Sequence, residues 1–125
     1  NIVNITTNGD KRINYKIRNN LISQTQNNTD NNVMLKISTE KSKNIKEKNI
    51  KNEITKYEIS LNVDVEFNLI NSDENYRVNI SNTGSYLVVD SYSTTLNNEK
   101  KLIDDLVENI SEKIVKKISL KLDDI

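Results

Sequence analysis

From Tyr57 to Leu69, "YEISLNVDVEFNL", apolar and polar residues alternate without a break. Tyr57, Ile59, Leu61, Val63, Val65, Phe67 and Leu69 share one face of a strand, and the polar residues between them share the other. The segment is about twice the usual strand length of roughly 5–6 residues. Its oily face needs an equally long cover.

The same patterning places the other elements. Ile2, Val3 and Ile5 predict a short strand ending at "TTNGD". Asn8, Gly9 and Asp10 make a turn with Asp10 as a helix N-cap. Ile13, Ile17 and Leu21, with Ile22 beside them, form one helical face running to about Gln26. "QNNTDNN" (26–32) is turn chemistry. Val33, Leu35 and Ile37 alternate with Met34, Lys36 and Ser38 in a second strand. "KSKNIKEKNIKNE" (41–53) predicts a lysine-rich, partly paired connection at the open end of a long hairpin.

After the third strand, residues 71–75 make a turn, and Tyr76, Val78 and Ile80 mark a fourth strand. A turn centred near Ser72 and Asp73 sets Leu69 opposite Tyr76, Phe67 opposite Val78 and Val65 opposite Ile80. Asn82 and Gly84 interrupt the apolar face, and "YLVV" (86–89) is apolar on both parities. A bulge near Gly84 accounts for both observations. Thr95 then caps a helix in which Leu102, Leu106, Ile110, Ile114, Ile118 and Leu122 recur every four residues, widened by Ile103, Val107 and Val115.

The order is β-α-β-β-β-α in a single domain, 1–125. The third strand spans ~40 Å at ~3.3 Å per residue. A helix from about Leu96 to Leu122 spans a similar ~40 Å at ~1.5 Å per residue. The prediction is a two-layer α+β sandwich, with two helices on one face of a four-stranded, mostly antiparallel sheet. Core packing explains the last helix better than a place on a membrane surface.

Composition narrows the chemistry. The 18 Lys and Arg balance the 18 Asp and Glu, so any electrostatic partner must be met by a local patch. There is no Cys and no His, which excludes disulfides, thiolate metal sites and the commonest general base. With no Pro and two Gly, turns rely on Asn, Asp and Ser. The start at Asn1 rather than Met implies a removed N-terminal segment, for which a signal peptide is one candidate.

Ser91 and Ser93 in "SYSTT" have no His to activate them and read as a strand end and helix cap. Asp64 and Glu66 form an i,i+2 carboxylate pair, more simply read as part of a solvated face. No cofactor or metal motif is present. Lys41, Lys43, Lys46, Lys48 and Lys51 are the one local charge feature. They suit phosphates or anionic sugars, or they guard a sheet edge against pairing. Nucleic acid fits poorly, because no aromatic residues interleave with them. In so Asn-rich a chain, the Asn-x-Ser/Thr triplets are expected by chance.

Across nearly its whole length, the chain resembles the bacterial lipopolysaccharide-assembly lipoproteins of the LptE type. The likeness rests on the helix "INYKIRNNLI" (13–22), the strand "KYEISLNVDVEFNL" (56–69), "GSYLVVDSYSTT" (84–95) with its Ser91-Tyr92, and the helix "EKKLIDDLVENISEKIVKKISLKL" (99–122). The resemblance implies a non-enzymatic outer-membrane lipoprotein that needs no cofactor. It would be anchored on the periplasmic face through an N-terminal lipid outside this chain. The implied partners are the LptD-type β-barrel, which it would plug and help to assemble, and lipopolysaccharide, delivered to the outer leaflet. Lys41, Lys43, Lys46, Lys48 and Lys51 are then the candidate lipopolysaccharide contacts. Asn62, Asp64, Glu66, Asn68, Asn79 and Ser81 become the candidate barrel-contacting face. Two other classes compete: a periplasmic binding or activator lipoprotein, such as a regulator of cell-wall synthesis, and a small hydrolase.

Overall fold

The computed structural model describes residues 2–25, 32–69 and 73–123, without the side chains of Val3, Leu122 and Asp123. The elements are β1 (Ile2–Gly9), α1 (Lys11–Thr25), β2 (Val33–Lys48), β3 (Ile54–Leu69), β4 (Asn75–Leu87) and α2 (Tyr92–Asp123). The sheet order is β1-β2-β3-β4. β1 runs parallel to β2, and the two remaining pairs are antiparallel. The sheet is therefore mixed but mostly antiparallel, as the patterning predicts.

Both helices cover one face. Ile13, Ile17 and Leu21 of α1 and Leu106, Val107, Ile110, Ile114 and Ile118 of α2 are buried against Val33, Leu35, Ile37 and the odd residues of β3. Ile59, Leu61, Val63, Val65 and Phe67 are at most 1% exposed, so the alternation marks the core seam directly. Two aromatic cross-strand pairs reinforce it. Phe67 stacks on Tyr76 at 5.3 Å and Tyr57 on Tyr86 at 5.7 Å between ring centroids.

The corner between β1 and α1 is closed by short polar residues. The Asp10 carboxylate accepts the Ile13 N–H at 3.0 Å, capping α1. Buried Asn14 donates to the Asn8 carbonyl, and its amide oxygen accepts the Thr39 hydroxyl at 2.9 Å. The first helix is thereby fixed to the neighbouring strand as well as to its own entry turn.

Four expectations change. Phe67 pairs with Tyr76, Val65 with Val78 and Val63 with Ile80, a two-residue slip from the expected register. The slip keeps every side chain on its face, so patterning cannot see it. No bulge occurs at Gly84, which pairs with Ile59 in an unbroken ladder. Gly84 and Asn82 sit on the core face where α2 comes close. A Cβ on Gly84 would lie 2.5 Å from Leu102 Cδ1, and Asn82 donates to the Asn109 amide oxygen at 3.0 Å.

The lysine-rich segment is mostly strand, paired as far as Lys48 opposite Ile54. Helix α2 starts at Tyr92 and is capped by Ser91, whose hydroxyl accepts the Thr94 N–H at 3.3 Å. Thr95 instead folds back onto Val89, accepting its N–H and donating to its carbonyl. The predicted turn at 26–32 lies outside the described residues except for Asn32, as do positions 71 and 72 of the next turn.

Candidate functional site

Two surfaces carry the sequence-predicted residues. The first is the sheet face without helices. Asn62, Asp64, Glu66, Asn68, Asn79 and Ser81 all stand on it, because each occupies the parity opposite the core. Cross-strand side-chain partners engage all of them but Asn68. Asn79 donates to the Asp64 carboxylate and Ser81 to the Asn62 amide oxygen, both at 2.6 Å. Arg77 meets Glu66 at 3.3 Å, and Ser60 meets Thr83 at 2.9 Å. Asn68 faces Asn75. The face is a ladder of mutually bonded amides, hydroxyls and paired charges. Ser60 of β3 and Arg77 and Thr83 of β4 belong to it equally, and their parity, opposite to the core residues of each strand, is the signal that identifies them.

The second surface is the far end of the β2–β3 hairpin. β1 stops opposite Thr39, so residues 40–48 of β2 run on without a neighbour on that side among the described residues. Strand geometry divides the lysines. Lys41 and Lys43 oppose Leu61 and Ile59 and therefore stand on the helix side, whereas Lys46 reaches Glu58 on the bare side at 3.1 Å. The tip is braced by Asn49, whose side-chain oxygen accepts the N–H groups of Lys51 and Glu53. Asn52 takes φ 65°, which Asn tolerates. The brace presents Ile50 fully to solvent between Lys48 and Lys51. Exposed Ile45, Leu87, Val89 and Tyr92 lie at the same end of the sheet. Among the described residues, Lys41, Lys48 and Lys51 have no ion pair.

Lys43 is used internally. Its ammonium lies 3.2 Å from the Glu99 carboxylate of α2 and 4.5 Å from the centre of the Tyr57 ring. The Tyr86 hydroxyl donates to the same Glu99 oxygen at 2.8 Å. Burial pushes the Glu99 carboxyl up, but hydrogen bonds from Tyr86 and Lys43 and the charges of Lys43 and Lys41 outweigh it and leave the pKa lowered. Tyr86 and Glu99 together raise Lys43 against the opposing effect of burial.

A depressed carboxylate contributes stability that is present above its ordinary pKa of 4.5 and lost as pH falls through the lower folded value. Glu99→Gln is expected to destabilise the fold by about 1 kcal/mol at pH 7, since Glu99 is only part-buried and its Lys43 partner is exposed. That difference shrinks below pH 4.5, as thermal melts of both proteins across pH will register. An equal deficit at pH 7 and pH 3 would refute the Glu99 linkage.

Ser91 and Ser93 sit together, 3.2 Å apart, at the start of α2, with Ser91 serving as its cap. Asp64 is engaged by Asn79 and Glu66 by Arg77. No group of three metal-ligating side chains is found among the described residues, and none of their helices is long and apolar enough to cross a membrane.

Comparison with known proteins assigns the architecture. The fold is similar to the crystal structure of the rare lipoprotein B from Shewanella oneidensis, with TM-score 0.70, 11% identity and 97% of each chain covered. It is also similar to a putative lipoprotein from Caulobacter crescentus (TM-score 0.68, 12% identity, 94% of this chain and 89% of that one). An uncharacterized lipoprotein B from Nitrosomonas europaea, solved by NMR, gives TM-score 0.57 at 11% identity, covering 96% of this chain and 84% of that one. No curated protein sequence matches. At such identities these structures establish the fold alone. The family is established separately, by a match from residue 2 to residue 118: the chain belongs to the LptE lipopolysaccharide-assembly family.

Proposed function

We propose that this protein is a non-enzymatic outer-membrane lipoprotein that plugs an LptD-type β-barrel, assists its assembly and helps deliver lipopolysaccharide to the outer leaflet. The carrying observation is family membership over residues 2–118. The bare sheet face supports the plug reading. A body inside a water-filled barrel needs a polar surface whose own hydrogen bonds are already closed, and the Asn62–Ser81 and Asp64–Asn79 pairs supply that.

The hairpin end supports a lipopolysaccharide contact. Lys41, Lys48 and Lys51 offer charge-assisted hydrogen bonds to phosphate, and Ile45 and Ile50 offer apolar area beside them. Lys43 and Lys46 contribute less to such a contact, because Glu99 and Glu58 already engage them. Anchoring falls to a lipid on the N-terminal side of Ile2.

The test is copurification of the full-length lipidated protein with its barrel in mild detergent. A stable complex is expected. An Asn62→Arg, Asn79→Arg variant should lose it while keeping the parent melting temperature, since both side chains lie on the bare face. A clean monomer of the parent protein would overturn the proposal.

A further inference from the structure

β4 ends the sheet, and its outer edge is guarded along only part of its length. The Val88 N–H donates to the Thr55 carbonyl at 3.0 Å, continuing the β3–β4 register. Antiparallel pairs alternate between bonded and non-bonded, so the odd-numbered residues of β4 turn their N–H and C=O groups outward. Towards the end of the strand these groups are capped. Asn98 of α2 donates to the Leu87 carbonyl, and the Asn82 side chain accepts the Thr83 N–H, each at 3.0 Å. From Arg77 through Asn79 to Ser81, no such cap is found among the described residues.

Beside this open stretch lies a groove of about 540 Å³ between β4 and α2. Asn79, Ile80 and Ser81 line one wall, and Lys113, Lys116, Lys117 and Leu120 line the other. The three lysines are exposed, and no carboxylate lines the groove among the described residues. An unguarded edge is a template for another strand. The lysines determine its chemistry.

We infer that the open edge of β4 is a docking site for an extended acidic segment of a protein partner, which pairs with Arg77 to Ser81 as a fifth strand. Its alternate side chains reach under α2, where carboxylates meet Lys113, Lys116 and Lys117 and an apolar residue meets Leu120. A second copy of this chain is a poor occupant, because two edges rimmed by the same three lysines repel. The site lies apart from the lysines of the hairpin and does not depend on the proposed lipopolysaccharide contact.

The probe is a synthetic nine-residue peptide of alternating threonine and glutamate, titrated into ¹⁵N-labelled protein. Slowed amide exchange at Arg77, Asn79 and Ser81, by about tenfold at saturation, is expected. The variant Lys113→Glu, Lys116→Glu, Lys117→Glu should keep its melt, bind this peptide at least about tenfold more weakly and gain affinity for an alternating threonine–lysine peptide. Protection elsewhere, or undiminished binding to the variant, would overturn the inference. So would binding of phosphatidylglycerol vesicles through the same lysines without any peptide pairing, or self-association that protects these three amides without peptide.

Discussion

Val65→Asp abolishes the cooperative thermal transition of this protein, whereas Asp64→Val, one residue away, leaves it within about 1 kcal/mol of the parent. Val65 is fully buried at the centre of the seam, between Ile37 of β2 and Val78 of β4. Replacing it forfeits about 1.5–3 kcal/mol of apolar burial. The new carboxyl must then stay protonated at neutral pH or ionise without a partner, at a cost of several kcal/mol more. Those losses together rival the ~5–15 kcal/mol that stabilises a typical domain. Asp64 stands on the bare face, where its removal costs one exposed hydrogen bond to Asn79. Circular dichroism melts of the two variants decide the matter. A cooperative Val65→Asp melt close to the parent would mean that the odd positions are not the core seam.

Much of this fold is legible because a strand's period of two assigns a face to every residue from Tyr57 to Leu69. Pairing distance is another matter. Shifting β4 by two residues would set Asp64 opposite Ser81, but the observed register sets it opposite Asn79. Both arrangements bury the same residues and expose the same side chains, and only the length and shape of the turn separate them. Gly84 was open to misreading for a related reason. Its cause is Leu102, a residue distant in sequence, and no local signal distinguishes a bulge from a close helix approach. The start of α2 is hidden because Tyr92, Ser93 and Thr94 carry no apolar stripe, leaving the cap at Ser91 as its only mark.

The candidate sites divide along the same lines. All six bare-face residues were readable from parity alone, although their bonding partners were not. From sequence the lysines form one partly paired connection, because Lys, Asn and Glu are poor strand formers and the segment from Lys41 to Lys48 contains little else. Pairing with β3 imposes strand order on it regardless, and that order sends Lys43 to Glu99 and Lys46 to Glu58. The charges left over for a ligand are set by tertiary structure, through a carboxylate on a helix more than 50 residues away, at 56 positions from Lys43.

Gly9→Ala costs about 3–5 kcal/mol, and Gly84→Ala no more than about 1 kcal/mol, although both glycines face a neighbour too close for a Cβ. At Gly9 the backbone takes φ +96°, and a Cβ would fall 2.1 Å from the carbonyl oxygen of Thr39. That oxygen belongs to the strand paired with β1, so relief requires pulling Gly9 away from Thr39 at the last rung of the parallel ladder. The movement also breaks the corner behind it. Asn14 would lose the Asn8 carbonyl and the Thr39 hydroxyl, leaving buried polar groups unpaired at about 1–3 kcal/mol each. At Gly84 the obstacle is a terminal methyl of half-buried Leu102, which can turn aside. Urea unfolding of the two variants measures the difference directly. Equal losses at the two positions would show that the β1–α1 corner does not depend on the left-handed glycine.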